Sequence, residues 1–267
     1  MRALTKIEYW DQGYVARNQA AELTFGWRDY INYLIADKIE GIGLEGKSVL
    51  EIGAGDSMWL PYLAKKYPGT QFAGVDFSKA GCQRLADRVA AAGTPVTIDI
   101  HNEDMFAAES GLHGTFDLVL SFGVVEHFTD LSAALLAKRR YLKERGLMFS
   151  LIPNMAGSIG YLTKVFNRQI FDMHNPHDWS SFLEGHRRAG LTVISGGYLG
   201  SSNFGVLSSC FEHHRGISWH AYVLLTRLSK AIALAESRLG NLPASKAFSP
   251  YIYAISQATH ETRHFHQ

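Results

Sequence analysis

The stretch that most constrains how this chain can fold is SVLEIGAGDS, Ser48 to Ser57, with GVDFS at Gly74 to Ser78 behind it. Val49, Leu50 and Ile52 make a short apolar run of the kind that forms a fully buried parallel strand. Gly53 and Gly55 then permit a sharp turn and let a ligand approach the backbone more closely than a side chain would allow. Met58 to Tyr67 follows at helical spacing, with Met58, Leu60, Leu63 and Ala64 predicted to face inward and Lys65 and Lys66 outward. Pro61 falls in the first helical turn, where proline is tolerated. A second strand over Gln71 to Val75 delivers Asp76 at its carboxyl end, 21 residues after Gly55. That is close to the roughly 20 residues at which an acid meets a ribose in dinucleotide folds. Strand, glycine turn, helix, strand and acid together describe a crevice for a nucleoside.

A dinucleotide fingerprint carries a third glycine three positions after the second, where helix and strand close around a pyrophosphate. Here that position is Met58, and Asp56 beside the loop would repel a pyrophosphate at the helix amino terminus. A zwitterionic, phosphate-free ligand fits better. With Glu51 ahead of the glycines, EIGAGDS resembles the first motif of the class I S-adenosylmethionine-dependent methyltransferases, with Ser57 in place of the last glycine. The resemblance implies an α/β fold: a Rossmann-like seven-stranded, mostly parallel sheet with its last strand antiparallel, helices on both faces and helical lid insertions. It implies S-adenosylmethionine as methyl donor and S-adenosylhomocysteine as product. Glu51, Gly53, Ala54 and Gly55 are then expected at the cofactor, with Asp76 on the ribose hydroxyls and Phe77 beside it.

The chain continues as this pattern requires. Ser78 to Ala92 reads as a capped helix ending at Gly93, and Pro95 to Ile100 as the third strand. In HNEDMF, the resemblance puts an acid on the adenine amino group. Asp104 matches that position best, with Met105 giving a backbone amide and an apolar wall; Glu103 and Asp99 are the alternatives, and a solvated acidic loop is the plain reading. FDLVLSFGVVEHF, Phe116 to Phe128, is a buried fourth strand opening at Gly123 onto the same edge. The resemblance makes Ser121, Phe122 and Gly123 cofactor contacts under the methionine half. His127 is a candidate general base, since an imidazole titrates near neutral pH; the alternative is that Glu126 and His127 hold the loop in shape. Leu131 to Lys143 reads as a helix and Leu147 to Ile152 as the fifth strand. IPNM, Ile152 to Met155, is on the wrong strand for the signature of amino-group methyltransferases that act on DNA bases.

Domain boundaries follow. Residues 1–45 form an N-terminal helical lid rich in aromatic side chains, in which Tyr9, Trp10 or Tyr14 either packs on the sheet or faces a cationic sulfur; Tyr14 is expected at the cofactor. Residues 46–258 form the core, with insertions 156–179 and 200–248 as substrate cap or contact with a second copy of the chain in a homodimer, and residues 259–267 are a tail. The first insertion is too apolar for a disordered linker. It contains His174, the second candidate base. Asp172, His174 and His177 have a metal-like pattern, but the loop is interrupted by Pro176 and unsupported by a second cluster, so pocket or surface histidines are expected and no metal. The last segments read as a helix over Ser180 to Ala189, strands over Leu191 to Tyr198 and Ser249 to Ala258, and a long helix over Trp219 to Leu239.

Composition narrows the function classes. The 267 residues, 46% of them hydrophobic, can bury a full core. A formal charge of +1 from 26 basic and 25 acidic residues, without long runs, argues against a nucleic-acid surface. Cys82 and Cys210 make neither a disulfide framework nor a metal cage, and a reducing, cytoplasmic setting is expected. No signal peptide or membrane span is read. The expected activity is methyl transfer to a small, largely apolar acceptor, at oxygen in preference to nitrogen or carbon. The rivals are a cofactor-binding scaffold or cyclase without methyl transfer, and a nicotinamide-dependent oxidoreductase.

Overall fold

The structure is a computed structural model and describes residues 2–16, 22–92 and 96–258. In chain order, α1 (Ile7–Ala16) and α2 (Tyr30–Glu40) lead into β1 (Ser48–Ile52), α3 (Trp59–Lys66), β2 (Gln71–Asp76), α4 (Lys79–Ala91) and β3 (Ile98–Asn102). Next come β4 (Phe116–Phe122), α5 (Leu131–Arg139), β5 (Leu142–Pro153), α6 (Ser158–Phe166) and α7 (Arg168–Asp172). The chain closes with α8 (Trp179–Arg188), β6 (Leu191–Leu199), α9 (Ile217–Leu239) and β7 (Tyr251–Ala258).

The strands form one seven-stranded sheet in the order β3-β2-β1-β4-β5-β7-β6. All pairings are parallel except those of β7, which runs antiparallel between β5 and β6. Alternation along the central strands sends side chains to two cores. Val49, Leu118, Leu120 and Phe149 pack with α2, α3 and α4 on one face. Leu50, Val119 and Met148 pack with α5 and α8 on the other. Both faces are therefore dry, which is why these strands read as continuous apolar runs. Side-chain caps fix where helices start: Ser78 accepts from the Gly81 amide at 3.0 Å, and Asp130 from Ala133 at 3.0 Å.

The seven-stranded sheet and its one antiparallel strand agree with the fold expected from the resemblance. Several boundaries differ. α5 ends at Arg139, and β5 begins at Leu142 rather than Leu147. Leu142 pairs with Phe116, then the register shifts before Leu147 pairs with Leu118, with Arg145 at a positive φ of 61° between them. The charged run KER reads as the end of a helix, but at the rim of a sheet it points to water, and Lys143 reaches Asp117 at 2.9 Å. Met58 is exposed, and Trp59 takes the inward place assigned to it. The insertion 156–179, which has little strand pattern, folds as α6 and α7. Gly93 and Pro95, the expected end of α4 and start of β3, lie outside the described residues, as does the tail 259–267.

Candidate active site

Every parallel strand of the central sheet ends on one edge, and the chain loops there enclose a cavity of about 430 Å³. This edge is where open α/β sheets bind ligands. After β1, Gly53 takes φ +79°, and a Cβ there would lie 2.4 Å from Val124 Cγ2. A Cβ on Gly55 would strike the Tyr14 hydroxyl at 2.6 Å and Asp76 Oδ2 at 2.8 Å. The two glycines are thus required by a turn with no spare room. Asp76 is buried at the end of β2, where Oδ2 accepts the Gly55 amide at 2.8 Å and Oδ1 the Ser78 amide at 2.8 Å. Burial raises its pKa against these two bonds.

The wall carries Asp76, Glu103 and Asp104, and none of its described residues is a lysine or arginine. Such a cavity favours a cation and disfavours a pyrophosphate. Asp56 contributes nothing to that selection, contrary to the sequence expectation. It turns toward α4 and pairs with Arg84 at 3.3 Å and Arg88 at 2.5 Å. Asp104 accepts the Phe106 amide at 3.0 Å, whereas Glu103 also receives the Tyr141 hydroxyl at 3.1 Å. Asp99 is exposed along β3 and away from the cavity.

α1 closes the top. Trp10 and Tyr14 line the cavity from this helix, and its Asp11 receives the Ser78 hydroxyl. Ahead of it, the Leu4 amide donates to the His127 carbonyl at 2.8 Å, and Ala3 bridges to Phe128. The floor beyond β4 is a short 3-10 turn, Val125–His127. His127 lines the cavity, edge-on to Trp10 at 5.1 Å between ring centroids, and 4.6 Å from the ring of His174. The loop after α7 is hooked onto this turn, because the Asn175 amide donates to the Glu126 carbonyl at 2.6 Å. Each imidazole directs Nδ1 at a carbonyl, His127 at Met173 (2.8 Å) and His174 at Ile170 (2.7 Å). A carbonyl only accepts, so Nδ1 carries the proton and Nε2 the lone pair. Burial lowers both pKa values, that of His127 to about 3, with His174 adding to the effect.

The structure gathers Gly53, Gly55, Asp76, Phe77, Asp104, Met105, Phe122, Gly123, Tyr14 and His127 around one space. Glu51, Ala54 and Ser121 lie behind it: Glu51 accepts the Ser57 hydroxyl at 2.7 Å, and Ser121 accepts Lys138 Nζ at 2.7 Å. Asp172 and His177 stand apart from His174. Asp172 pairs with Arg168 at 2.8 Å, and His177 faces Ser181. Instead, one donor atom each from Glu126, His127 and His174 lies within 4.8 Å of the others. The fully buried Lys138 beneath Ser121 was missed. Leu131, Ala134, Leu135 and Lys138 follow one inward helical stripe, and that spacing was the available signal. Ala3 and Thr5 line the cavity too, with no signal in the sequence. The segment 200–248 lines a different, polar cavity of about 480 Å³ with Arg28, Ser201 and Lys230.

Known proteins share part of this sequence and the fold. Residues 50–148 match the family described as methyltransferase domain. The curated ubiquinone biosynthesis O-methyltransferase of Caulobacter vibrioides is 28% identical over 142 residues, 52% of this chain and 55% of that protein. The match therefore spans about half the length of that relative. Among solved structures, phosphoethanolamine N-methyltransferase 2 of Haemonchus contortus, in complex with S-adenosyl-L-methionine, aligns with a TM-score of 0.62 at 16% identity, covering 95% of this chain and 58% of that one. The cyclase SpnF aligns with a TM-score of 0.60 at 14% identity, covering 91% and 84%. At these identities the likeness is one of fold.

Proposed function

We propose, from the premise that this chain belongs to the class I S-adenosylmethionine-dependent methyltransferase family, that it transfers a methyl group to a small, largely apolar acceptor, with oxygen as the favoured site. The observation that carries the reading is the acid-lined, lysine- and arginine-free wall in which Asp76 is clamped by the Gly55 and Ser78 amides. The donor of this family carries adenosine, no phosphate and a net positive charge, and the residues present fit it. Asp76 has lone pairs left for two ribose hydroxyls, the glycine turn leaves backbone exposed, and Asp104 with Met105 faces the place for a base. Tyr14 and Trp10 offer aromatic faces to a cationic sulfur, worth about 0.5–2 kcal/mol.

When bound, the donor would supply an electrophilic methyl group, a new bond to the acceptor forming as the bond to sulfur breaks, with a neutral thioether leaving and the acceptor's proton passing to solvent. The chain's own contribution is alignment, which supplies roughly 7–11 kcal/mol in favourable cases. Phe106 and Phe128, edge-on at 5.1 Å, and Trp10 give the acceptor side an apolar surface. His127 presents Nε2 as a hydrogen-bond acceptor for a hydroxyl. With a pKa near 3 it is a weak base, and its proposed role is to orient the acceptor. α1 excludes water from above.

The test is transfer of label from methyl-labelled donor to a panel of phenols, amines and carbon acids. The proposal expects labelled methyl ether and thioether product in equal amounts. Donor that binds tightly but keeps its label throughout the panel replaces it with the cyclase or scaffold reading.

A further inference from the structure

We propose that Glu126, His127 and His174 form a binding site for one divalent transition cation, of the zinc or iron(II) class, at the acceptor side of the cavity. The first observation is the donor set. Two imidazoles and one carboxylate place a donor atom each within 4.8 Å of the other two. A modest inward shift of each side chain, on the order of an ångström, brings all three to the roughly 2.0–2.2 Å bonds such ions make. Two histidines and a carboxylate are a borderline set that suits these cations better than calcium or magnesium.

The second observation is how the imidazoles are held. Both tie Nδ1 to a backbone carbonyl, at 2.8 and 2.7 Å. Metal-ligating histidines are typically fixed this way, because the anchored N–H sets the tautomer and aims the opposite nitrogen at the ion. Here two such anchors come from one segment, Ile170 and Met173, folded against the 3-10 turn.

The third is an unsatisfied carboxylate. Glu126 is 1% exposed, and its Oε2 has no hydrogen-bond partner among the described residues. A buried polar atom left unmatched costs about 1–3 kcal/mol, and ligation would remove that cost.

His127 borders the cavity, so a cation held on it faces the acceptor side. On the methyl-transfer reading, its ligand would be an ionisable acceptor oxygen such as a phenolate, held by the cation in place of the hydrogen bond to His127 Nε2.

The experiment is a titration of the metal-stripped full-length chain with Co2+ alone, without donor or acceptor, read by calorimetry and by visible absorption. One saturable equivalent with nitrogen and oxygen ligand-field bands is expected, weakened roughly 10- to 100-fold or more by His174→Ala and by the isosteric Glu126→Gln. The double variant His213→Ala/His214→Ala, on exposed histidines remote from the turn, is expected to bind as the parent does. Absence of saturable binding overturns the proposal, as does equal affinity in Glu126→Gln, which decides the matter if His174→Ala fails to fold. Because no methyl donor is present, either outcome leaves the methyl-transfer reading to its own test.

Discussion

At the scale of single residues, Asp76 carries more of the site than any other side chain. Its two oxygens hold the amides of Gly55 and Ser78, and that posture turns the remaining lone pairs toward the cavity. Hydrogen bonds to charged groups are worth about 1.5–3 kcal/mol each. Asp76→Ala is therefore expected to weaken S-adenosylhomocysteine binding by roughly tenfold for each 1.4 kcal/mol lost, measured by calorimetry on folded protein; an unchanged affinity would remove Asp76 from the cofactor site. This residue was readable in the sequence because its chemistry depends on a local interval, one strand after a glycine turn. His174 was readable only as a histidine. Its neighbour His127 stands 47 residues earlier in the chain, and no local pattern reports such a contact.

At the scale of elements, one hydrogen bond ties α1 to the start of α4. Ser78 caps α4 through the Gly81 amide and gives its hydroxyl proton to Asp11. Ser78→Ala removes both. Loss of the cap is expected to cost about 1 kcal/mol, which lowers Tm by about 2–4 °C in a chain of this size. Asp11→Ala breaks only the latch and is expected to leave Tm closer to that of the parent. Both variants should release bound S-adenosylhomocysteine faster than the parent in stopped-flow measurements. Equal release rates would mean that α1 does not act as a lid. Outside the insertion 156–179, most helix and strand identities were legible from periodicity, because the central strands are buried on both faces and the helices that flank them on one. The start of β5 was not. Lys143, Glu144 and Arg145 have the same polarity whether they end a helix or edge a sheet, and pairing with Phe116 decides between them.

Across the whole molecule, the buried carboxyl of Glu51 couples stability to pH. Burial, opposed by the Ser57 hydroxyl and aided by the charge of Asp76, pushes its pKa up to about 8. The unfolded chain releases this proton near the ordinary glutamate value while the folded chain keeps it. Glu51 therefore favours folding least above its folded pKa, and its penalty grows as pH rises from about 4.5 to 8. Glu51→Gln is expected to gain stability relative to the parent across that window, by at most about 1.4 kcal/mol per pH unit, in denaturant melts of the ligand-free chain. A difference that does not change with pH would show that Glu51 is ionised when folded. The sequence by itself determined the central strands and the glycine turn, since periodicity and short intervals report what solvent exclusion and backbone geometry impose locally, and its resemblance to a known family supplied the donor class. Only the tertiary structure decided that Asp56 is neutralised by α4, that segment 200–248 lines a separate cavity, and that Glu126, His127 and His174 converge. Those outcomes depend on which distant surfaces pack together, and packing is a property of the assembled layers rather than of any stretch within them.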